Sequence, residues 1–193
     1  MKYLTTLLVF SLGVSSASAG FFDSLKDSAT EQAKSSAESA ASDAIGSDAA
    51  STLSQAASMQ SMVANAVDTS KQLQSLLGSN PELQSLLTNS MTSLAQKQDY
   101  IALQDINKLM DAKLTDEQKG LATSLRSDVE VLALKRQLPD SGPVTAATKA
   151  IQGGDYQGAV AQLNTVMKSG TLTDGQKQLV SSIISEHAPT VAK

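Results

Sequence analysis

Apolar side chains recur every three or four residues along much of this chain, and that spacing predicts helices. In residues 81–95 the apolar positions share one helical face: Leu83, Leu86, Leu87, Met91, Leu94 and Ala95. Five later segments carry similar stripes, on Leu103, Ile106, Leu109 and Met110; Leu121, Leu125, Val129 and Leu132; Val144, Ala147 and Ile151; Ala159, Val160, Leu163, Val166 and Met167; and Leu179, Val180, Ile183 and Ile184. No segment alternates apolar and polar residues long enough to predict a strand. The pattern therefore predicts an all-α fold.

Part of this pattern occurs twice. Asp99-Tyr100, Met110 and Leu114-Thr-Asp-Glu-Gln-Lys119 return as Asp155-Tyr156, Met167 and Leu172-Thr-Asp-Gly-Gln-Lys177. The offset grows from 56 (155 − 99) through 57 (167 − 110) to 58 (172 − 114), which predicts two single-residue insertions. Each copy must bury its apolar stripe against a neighbour. We therefore expect two tandem three-helix units, 78–138 and 142–188, that form a repeat domain over 78–193, stacked as a short solenoid or bundle.

Helix-start signals mark the first helix of each unit. Ser79 or Asn80 can cap the first, with Pro81 in the first turn and Glu82 completing a capping box with Ser79. Gly142-Pro143 marks the start of the second unit. Two prolines and a glycine between residues 138 and 143 make a continuous helix across the junction improbable.

The later helices of each unit have matching start signals. Asp99 and Asp155 are predicted N-caps, and Thr115-x-x-Gln118 and Thr173-x-x-Gln176 are predicted capping boxes. Tyr100 and Tyr156 then occupy equivalent positions, where we expect them to pack at the edge of the core. Met110 and Met167 are expected to fill gaps in the core.

Residues 20–77 form a different zone, rich in serine and alanine. One predicted helix carries an alanine stripe on Ala29, Ala33, Ala37, Ala40, Ala41 and Ala44. A second, from about Ala49 to Leu77, carries Leu53, Ala56, Gln60, Val63, Val67 and Leu77 roughly on one face, a richer stripe that could dock on the rest of the chain. So few large apolar side chains predict a loosely packed helical extension. The alternative is a small-residue stripe that lets another helix approach closely.

The N-terminus predicts export. Lys2, the apolar run Leu4–Val14 and Ala17-Ser18-Ala19 are typical of a signal peptide spanning residues 1–19, cleaved after Ala19. The absence of Cys excludes disulfides, thiolate metal sites and a lipidated cysteine. We therefore expect a soluble mature chain in a bacterial periplasm or outside the cell.

The charge of the chain argues against two classes of partner, nucleic acids and anionic membranes. Without Lys2 the chain has 14 basic and 19 acidic residues, a net charge of −5 (14 − 19), and its lysines and arginines are scattered. Nucleic acid is therefore not an expected partner. Phe21, Phe22 and Leu25 could meet a membrane surface, but the surrounding acidic residues weaken attraction to an anionic bilayer.

The residues that usually carry chemistry give no catalytic or metal site. His187 is the only histidine, and its place near the C-terminus of a helix predicts a favourable interaction with the helix dipole. Serines lack a nucleophile motif, and no phosphate-binding loop or calcium loop occurs. Carboxylate pairs such as Asp116 with Glu117 and Asp128 with Glu130 lack the aromatic cleft of a glycosidase. We predict no enzyme activity, no catalytic residue, no cofactor and no metal.

Residues Gly154-Asp155-Tyr156-Gln157-Gly158-Ala159, followed by Leu163 and Met167, resemble the second helix of a tetratricopeptide-type repeat. The first unit matches less well because it lacks the glycine. The preceding helices lack that family's Trp-x-x-Leu-Gly-x-x-Tyr signature, and the spacing is nearer 57 than the family's 34 residues. The resemblance implies a protein-binding role in a concave groove and nominates no groove residues.

These patterns favour an exported, non-enzymatic binding or scaffold protein with a protein partner. The alternative is a structural, envelope-associated protein that self-assembles or contacts membrane through its N-terminal helices. A third hypothesis is a small-ligand carrier with an apolar pocket between helices.

Overall fold

The computed structural model describes residues 47–188 of the chain and the side chains of residues 57–188. Local sequence signals account for where most of its helices begin. Within those residues there are seven helices and no strand: α1 (Ser47–Leu77), α2 (Pro81–Ala95), α3 (Asp99–Met110), α4 (Asp116–Gln137), α5 (Gly142–Gln152), α6 (Tyr156–Lys168) and α7 (Asp174–His187). The all-α prediction is confirmed. The predicted signal peptide, the alanine stripe and the Phe21, Phe22 and Leu25 cluster lie outside the described residues.

Helix α2 begins after Asn80, one of the two caps predicted for it. The Asn80 side chain accepts hydrogen bonds from the backbone N–H groups of Glu82 and Leu83, both at 3.2 Å, and Pro81 occupies the first helical position. The predicted Ser79–Glu82 capping box is therefore wrong, because Asn80 takes the N-cap and leaves Glu82 one position too early to fold back. Helix α5 starts at Gly142 as predicted, with Ser141 as its cap.

Both predicted capping boxes are present. The Thr115 hydroxyl accepts from Gln118 N–H at 3.3 Å, and Gln118 Oε1 accepts from Thr115 N–H at 2.9 Å. The Thr173 and Gln176 pair repeats this exchange at 3.3 and 2.8 Å. The starts of α4 and α7 thus follow from sequence signals that act over four residues.

The same glutamines also make long-range contacts. Gln118 Nε2 donates to the carbonyl of Leu76 at the end of α1, at 2.7 Å, and Gln176 Nε2 donates to the carbonyl of Gln137 at the end of α4. At the other end of the α1–α4 pair, Lys135 Nζ donates to Ser58 Oγ at 3.3 Å. Helices α1 and α4 therefore run antiparallel along each other.

The second half of α1 is packed into the core. Val67, Leu73 and Leu77 are buried in the cluster that also holds Leu125 and Leu132 of α4. Leu73 and Leu77 follow the buried Ala66 by seven and eleven residues, a spacing that keeps these three on one face of the helix. The apolar stripe of this helix therefore docks on the rest of the chain, and this described part is not loosely packed.

The turns between α2 and α3 and between α5 and α6 have the same hydrogen bonds. Gln98 N–H donates to Ser93 O at 2.8 Å, and Asp155 N–H donates to Ala150 O at 2.8 Å. One residue earlier, Lys97 has φ 58° and Gly154 has φ 73°. Both turns therefore match at an offset of 57, not the 56 suggested by the two Asp-Tyr pairs.

This register changes the comparison between the two copies. Asp99 corresponds to Tyr156, and the offset of 57 continues to Met110 and Met167. Tyr100 and Tyr156 consequently do not lie at matching positions, and the offset changes once, from 57 to 58 in the loop before Thr173, instead of twice as predicted. Asp99 is also not an N-cap: Gln98 precedes α3 and makes no side-chain cap bond.

Candidate functional site

A buried polar cluster joins α4, α6 and α7. Glu130 on α4 has a side-chain exposure of 1%, and both of its carboxylate oxygens lie close to His187 Nε2, at 2.7 and 2.9 Å. The Tyr156 ring stacks on the His187 ring with centroids 4.2 Å apart and planes 6° apart. The Tyr156 hydroxyl lies 3.1 Å from Ser127 Oγ, so the cluster reaches back to α4.

Arg126 completes the electrostatics of this cluster. Its Nε lies 3.5 Å from Glu130 Oε1, and its NH1 lies 3.8 Å from Glu186. The Nε distance satisfies an ion pair, yet that atom is buried without a hydrogen bond. The contact is therefore a Coulombic attraction without a hydrogen bond. Glu130 thus faces a guanidinium on one side and an imidazole on the other.

The geometry assigns this cluster to packing. A histidine beside a carboxylate can act as a general base only where a substrate can reach it, and the His187 side chain has an exposure of only 3%. His187 lies in the last turn of α7, as predicted, and Tyr156 packs against the core, as predicted. Tyr100 behaves differently, because its hydroxyl accepts from Gln104 Nε2 on the outer side of α3 at 3.0 Å.

Asp99 is a second buried acid, at the turn between α2 and α3. Asp99 accepts from Arg136 NH1 at 2.9 Å and from Gln137 Nε2 at 3.1 Å. Arg136 NH1 also donates to the carbonyl of Leu94, at 3.2 Å, and so ties α4 to the end of α2. This pairing replaces the predicted capping role of Asp99.

Asp155 is an N-cap, as predicted. Its carboxylate accepts from Gly158 N–H at 2.9 Å. A Cβ built on Gly158 would overlap that carboxylate, so the glycine makes room for the cap.

Asp128, on the same helix as Glu130, is a partly buried carboxyl. Desolvation by burial raises the pKa of Asp128 above its ordinary value of 3.8. The predicted carboxylate pairs therefore do not converge on a cleft: Glu130 is occupied by His187, while Asp116 and Glu117 are exposed at the start of α4.

A surface cavity of about 460 Å³ lies between α1, α4, α5 and the loop after α4. Its lining consists of Ser58, Met59, Lys135, Leu138, Asp140, Val144, Thr145, Thr148, Lys149 and Gln152. Leu138 and Val144 are buried and form an apolar floor, whereas Thr145, Lys149 and Gln152 are exposed. This is the concave, mixed surface on which a ligand or a partner segment can be held.

In the part of the chain that the structure describes, no group of three or more His, Cys, Asp and Glu side chains could hold a metal ion. Among the described helices, none is long and apolar enough to cross a membrane. Comparisons with protein-family models, curated proteins and solved structures found no match to this chain.

The sequence analysis identified neither the buried Glu130–His187 pair nor the residues that line the cavity. Glu130 did carry a usable signal, since it is the single charge in the apolar run Val129–Leu134 and therefore had to be buried or to interrupt a buried face. Its pairing with His187, 57 residues away, had no such signal. Lys135 and Lys149 reach the cavity from different helices, and nothing in their local sequence marks them.

Proposed function

We propose that this protein is an exported, non-enzymatic helical scaffold that binds a protein partner at the concave surface between α1, α4 and α5. The observation that carries the proposal is the cavity, whose buried Leu138 and Val144 adjoin exposed polar and cationic side chains. An apolar centre with a polar rim is the usual anatomy of a protein-binding surface.

The distribution of chemical groups supports a binding role. Glu130, His187 and Asp99 have side chains that hold helices together and are buried away from solvent. The cavity is lined by lysines, threonines and apolar residues, which recognise ligands by contact and charge. Export rests on the signal-peptide pattern of residues 1–19, and the resemblance of residues 154–167 to a tetratricopeptide-type helix points to the same class of interaction.

Site-specific photocrosslinking in the native cell envelope tests this proposal. A photoreactive amino acid replaces Thr145, an exposed residue at the cavity, in the full-length chain. The matched control carries the same group at Ser181, an exposed position on α7 outside the cavity lining. We expect a discrete adduct with another protein from position 145 and none from position 181.

Two results would count against the proposal. Identical adducts from both positions would show that capture does not depend on the cavity. An adduct of twice the chain's own mass would support self-assembly, the structural alternative, in place of a partner.

A further inference from the structure

We propose that the cavity binds the C-terminal residue of the partner protein, recognising its free carboxylate and an aliphatic side chain together. The proposal rests on the proposed function, because it specifies which part of a protein partner enters the cavity between α1, α4 and α5.

The first argument is charge. Lys135 on α4 and Lys149 on α5 both line the cavity, whereas the chain as a whole carries a net charge of −4. Two lysines and Asp140 give the lining a net charge of +1 (2 − 1) in an acidic protein. A single carboxylate is the ligand group that this local excess favours.

The second argument is the donors that remain. A lysine ammonium has three N–H groups, and Lys135 Nζ donates to Ser58 Oγ at 3.3 Å. That bond holds the ammonium at the wall of the cavity and leaves donors for a ligand. Exposed Lys149 supplies a second ammonium from the neighbouring helix.

The third argument is the apolar floor. Leu138 and Val144 lie at 6% and 2% exposure beneath the cavity, and partly buried Met59 lines its wall. Methionine adapts its shape to different apolar groups. A ligand that is only charged would leave the partly buried Met59 side chain in contact with water, so the ligand needs an aliphatic part beside its carboxylate.

The last residue of a protein combines both groups on one Cα. Its carboxylate can face Lys135 and Lys149 while its side chain packs on Met59. The exposed Thr145 and Gln152 can hydrogen-bond the last peptide group. Capture of a chain terminus by convergent donors is an established mode of peptide recognition.

Peptide titrations test this proposal on the mature chain, residues 20–193. The probe is an N-terminally fluorescein-labelled Ala-Ala-Ser-Ala-Leu peptide with a free carboxylate, followed by fluorescence polarisation. The comparison peptides are the C-terminal amide and the same sequence ending in Gly. We expect saturable binding of the free acid, and binding about tenfold weaker for each comparison peptide.

Variants then locate the binding in the cavity. The double substitution Lys135→Gln and Lys149→Gln should weaken binding of the free acid at least about tenfold. Lys177→Gln is the matched control, because Lys177 pairs with exposed Asp174 on α7, outside the cavity lining. It should bind as the parent does. Circular dichroism checks that all variants keep their helix content.

Three outcomes would overturn the inference. Equal affinity for the acid and the amide would remove the carboxylate from the recognition. Unchanged binding in the double variant would place the site elsewhere. Competition by octanoate at the affinity of the peptide would assign the cavity to a free aliphatic acid. If Thr145 crosslinks still capture a partner while these titrations fail, the proposed function stands and only the terminal-residue inference falls.

Discussion

The start of α3 and the start of α6 have the same backbone and opposite chemistry. Both follow a turn with matching hydrogen bonds and a residue at positive φ, Lys97 in one and Gly154 in the other. Two residues further on, Asp99 follows the first turn and accepts a hydrogen bond from Arg136. Tyr156 follows the second turn and stacks on His187. A helix junction of this shape therefore fixes where a side chain meets α4 or α7, while leaving open whether charge or stacking closes the contact.

The largest expected effect comes from the cluster around Tyr156 and His187, in which Glu130 is the buried carboxylate. Glu130→Ala leaves His187 and Arg126 without their carboxylate in a buried cluster. Loss of one partner of a buried ion pair costs about 3–5 kcal/mol. We therefore expect a fall of that size in the free energy of unfolding in urea at pH 6. Exposed Glu117→Ala should cost less than about 1 kcal/mol, and an equal effect of the two substitutions would mean that the cluster contributes nothing specific.

A substitution at Asp99, at the start of α3, should lower the free energy of unfolding by a smaller amount. Asp99→Asn keeps an oxygen that can accept from Arg136 but removes the charge that faces the guanidinium. Hydrogen bonds to charged groups contribute on the order of 1.5–3 kcal/mol, and we expect a loss in that range by urea unfolding. Asp105→Asn, which breaks a pair with the exposed Lys108, should cost below about 0.5 kcal/mol. Similar losses in the two variants would contradict the role given to Asp99.

The effect of a substitution at Gly158 should depend on its background. Gly158→Ala in the parent forces the Asp155 carboxylate away from its cap position, a loss of about 1 kcal/mol that offsets the helix-propensity gain of alanine, so the net change should be close to zero. In an Asp155→Ala background that cap is already gone, so alanine should stabilise α6 by about 0.8–1 kcal/mol through its helix propensity. A double-mutant cycle by thermal unfolding measures both, and additive effects would sink this explanation. Ile101, the equivalent residue of α3, agrees with it, because Gln98 makes no side-chain cap bond that a side chain could displace.

The smallest expected effect is pH-dependent. Burial raises the pKa of Asp128 above 3.8, so the folded state favours the protonated acid. Stability therefore falls as pH rises through the unfolded value, and the penalty is complete above the folded pKa. Asp128→Asn removes this titration and should be the more stable protein at pH 7, by less than about 1 kcal/mol. The gain should vanish below about pH 3.8; a gain that is constant with pH would refute the desolvation account.

Short-range signals were predictable from the sequence. The capping boxes at Thr115 and Thr173 act over four residues, and the apolar stripes report burial within one helix. The register of the duplication was wrong because two identical letter pairs, Asp99-Tyr100 and Asp155-Tyr156, outweighed the hydrogen-bond pattern of the turn. That pattern could not be read where Lys97 occupies the position that Gly154 fills in the other copy.

The cavity depends on how helices pack, which no single segment encodes. Ser58, Lys135 and Val144 come together because α1 runs antiparallel to α4 and α5 follows after a short loop. The serine- and alanine-rich composition of residues 20–77 predicted loose packing, although the apolar stripe of the second helix allowed that helix to dock. A few well-spaced side chains, Val67, Leu73 and Leu77, were enough to bring that helix into the core.

Gln118 and Gln176 connect helix ends through contacts that do not depend on the side chains of the helix being contacted. Each amide donates to a main-chain carbonyl, at Leu76 in one case and Gln137 in the other. Every residue type carries that acceptor, so the helix end being met is free to change its side chains. A protein engineer who inserts a further copy of residues 116–173 would place another such amide at the next helix end, and this fold thus supplies its own connector for longer assemblies.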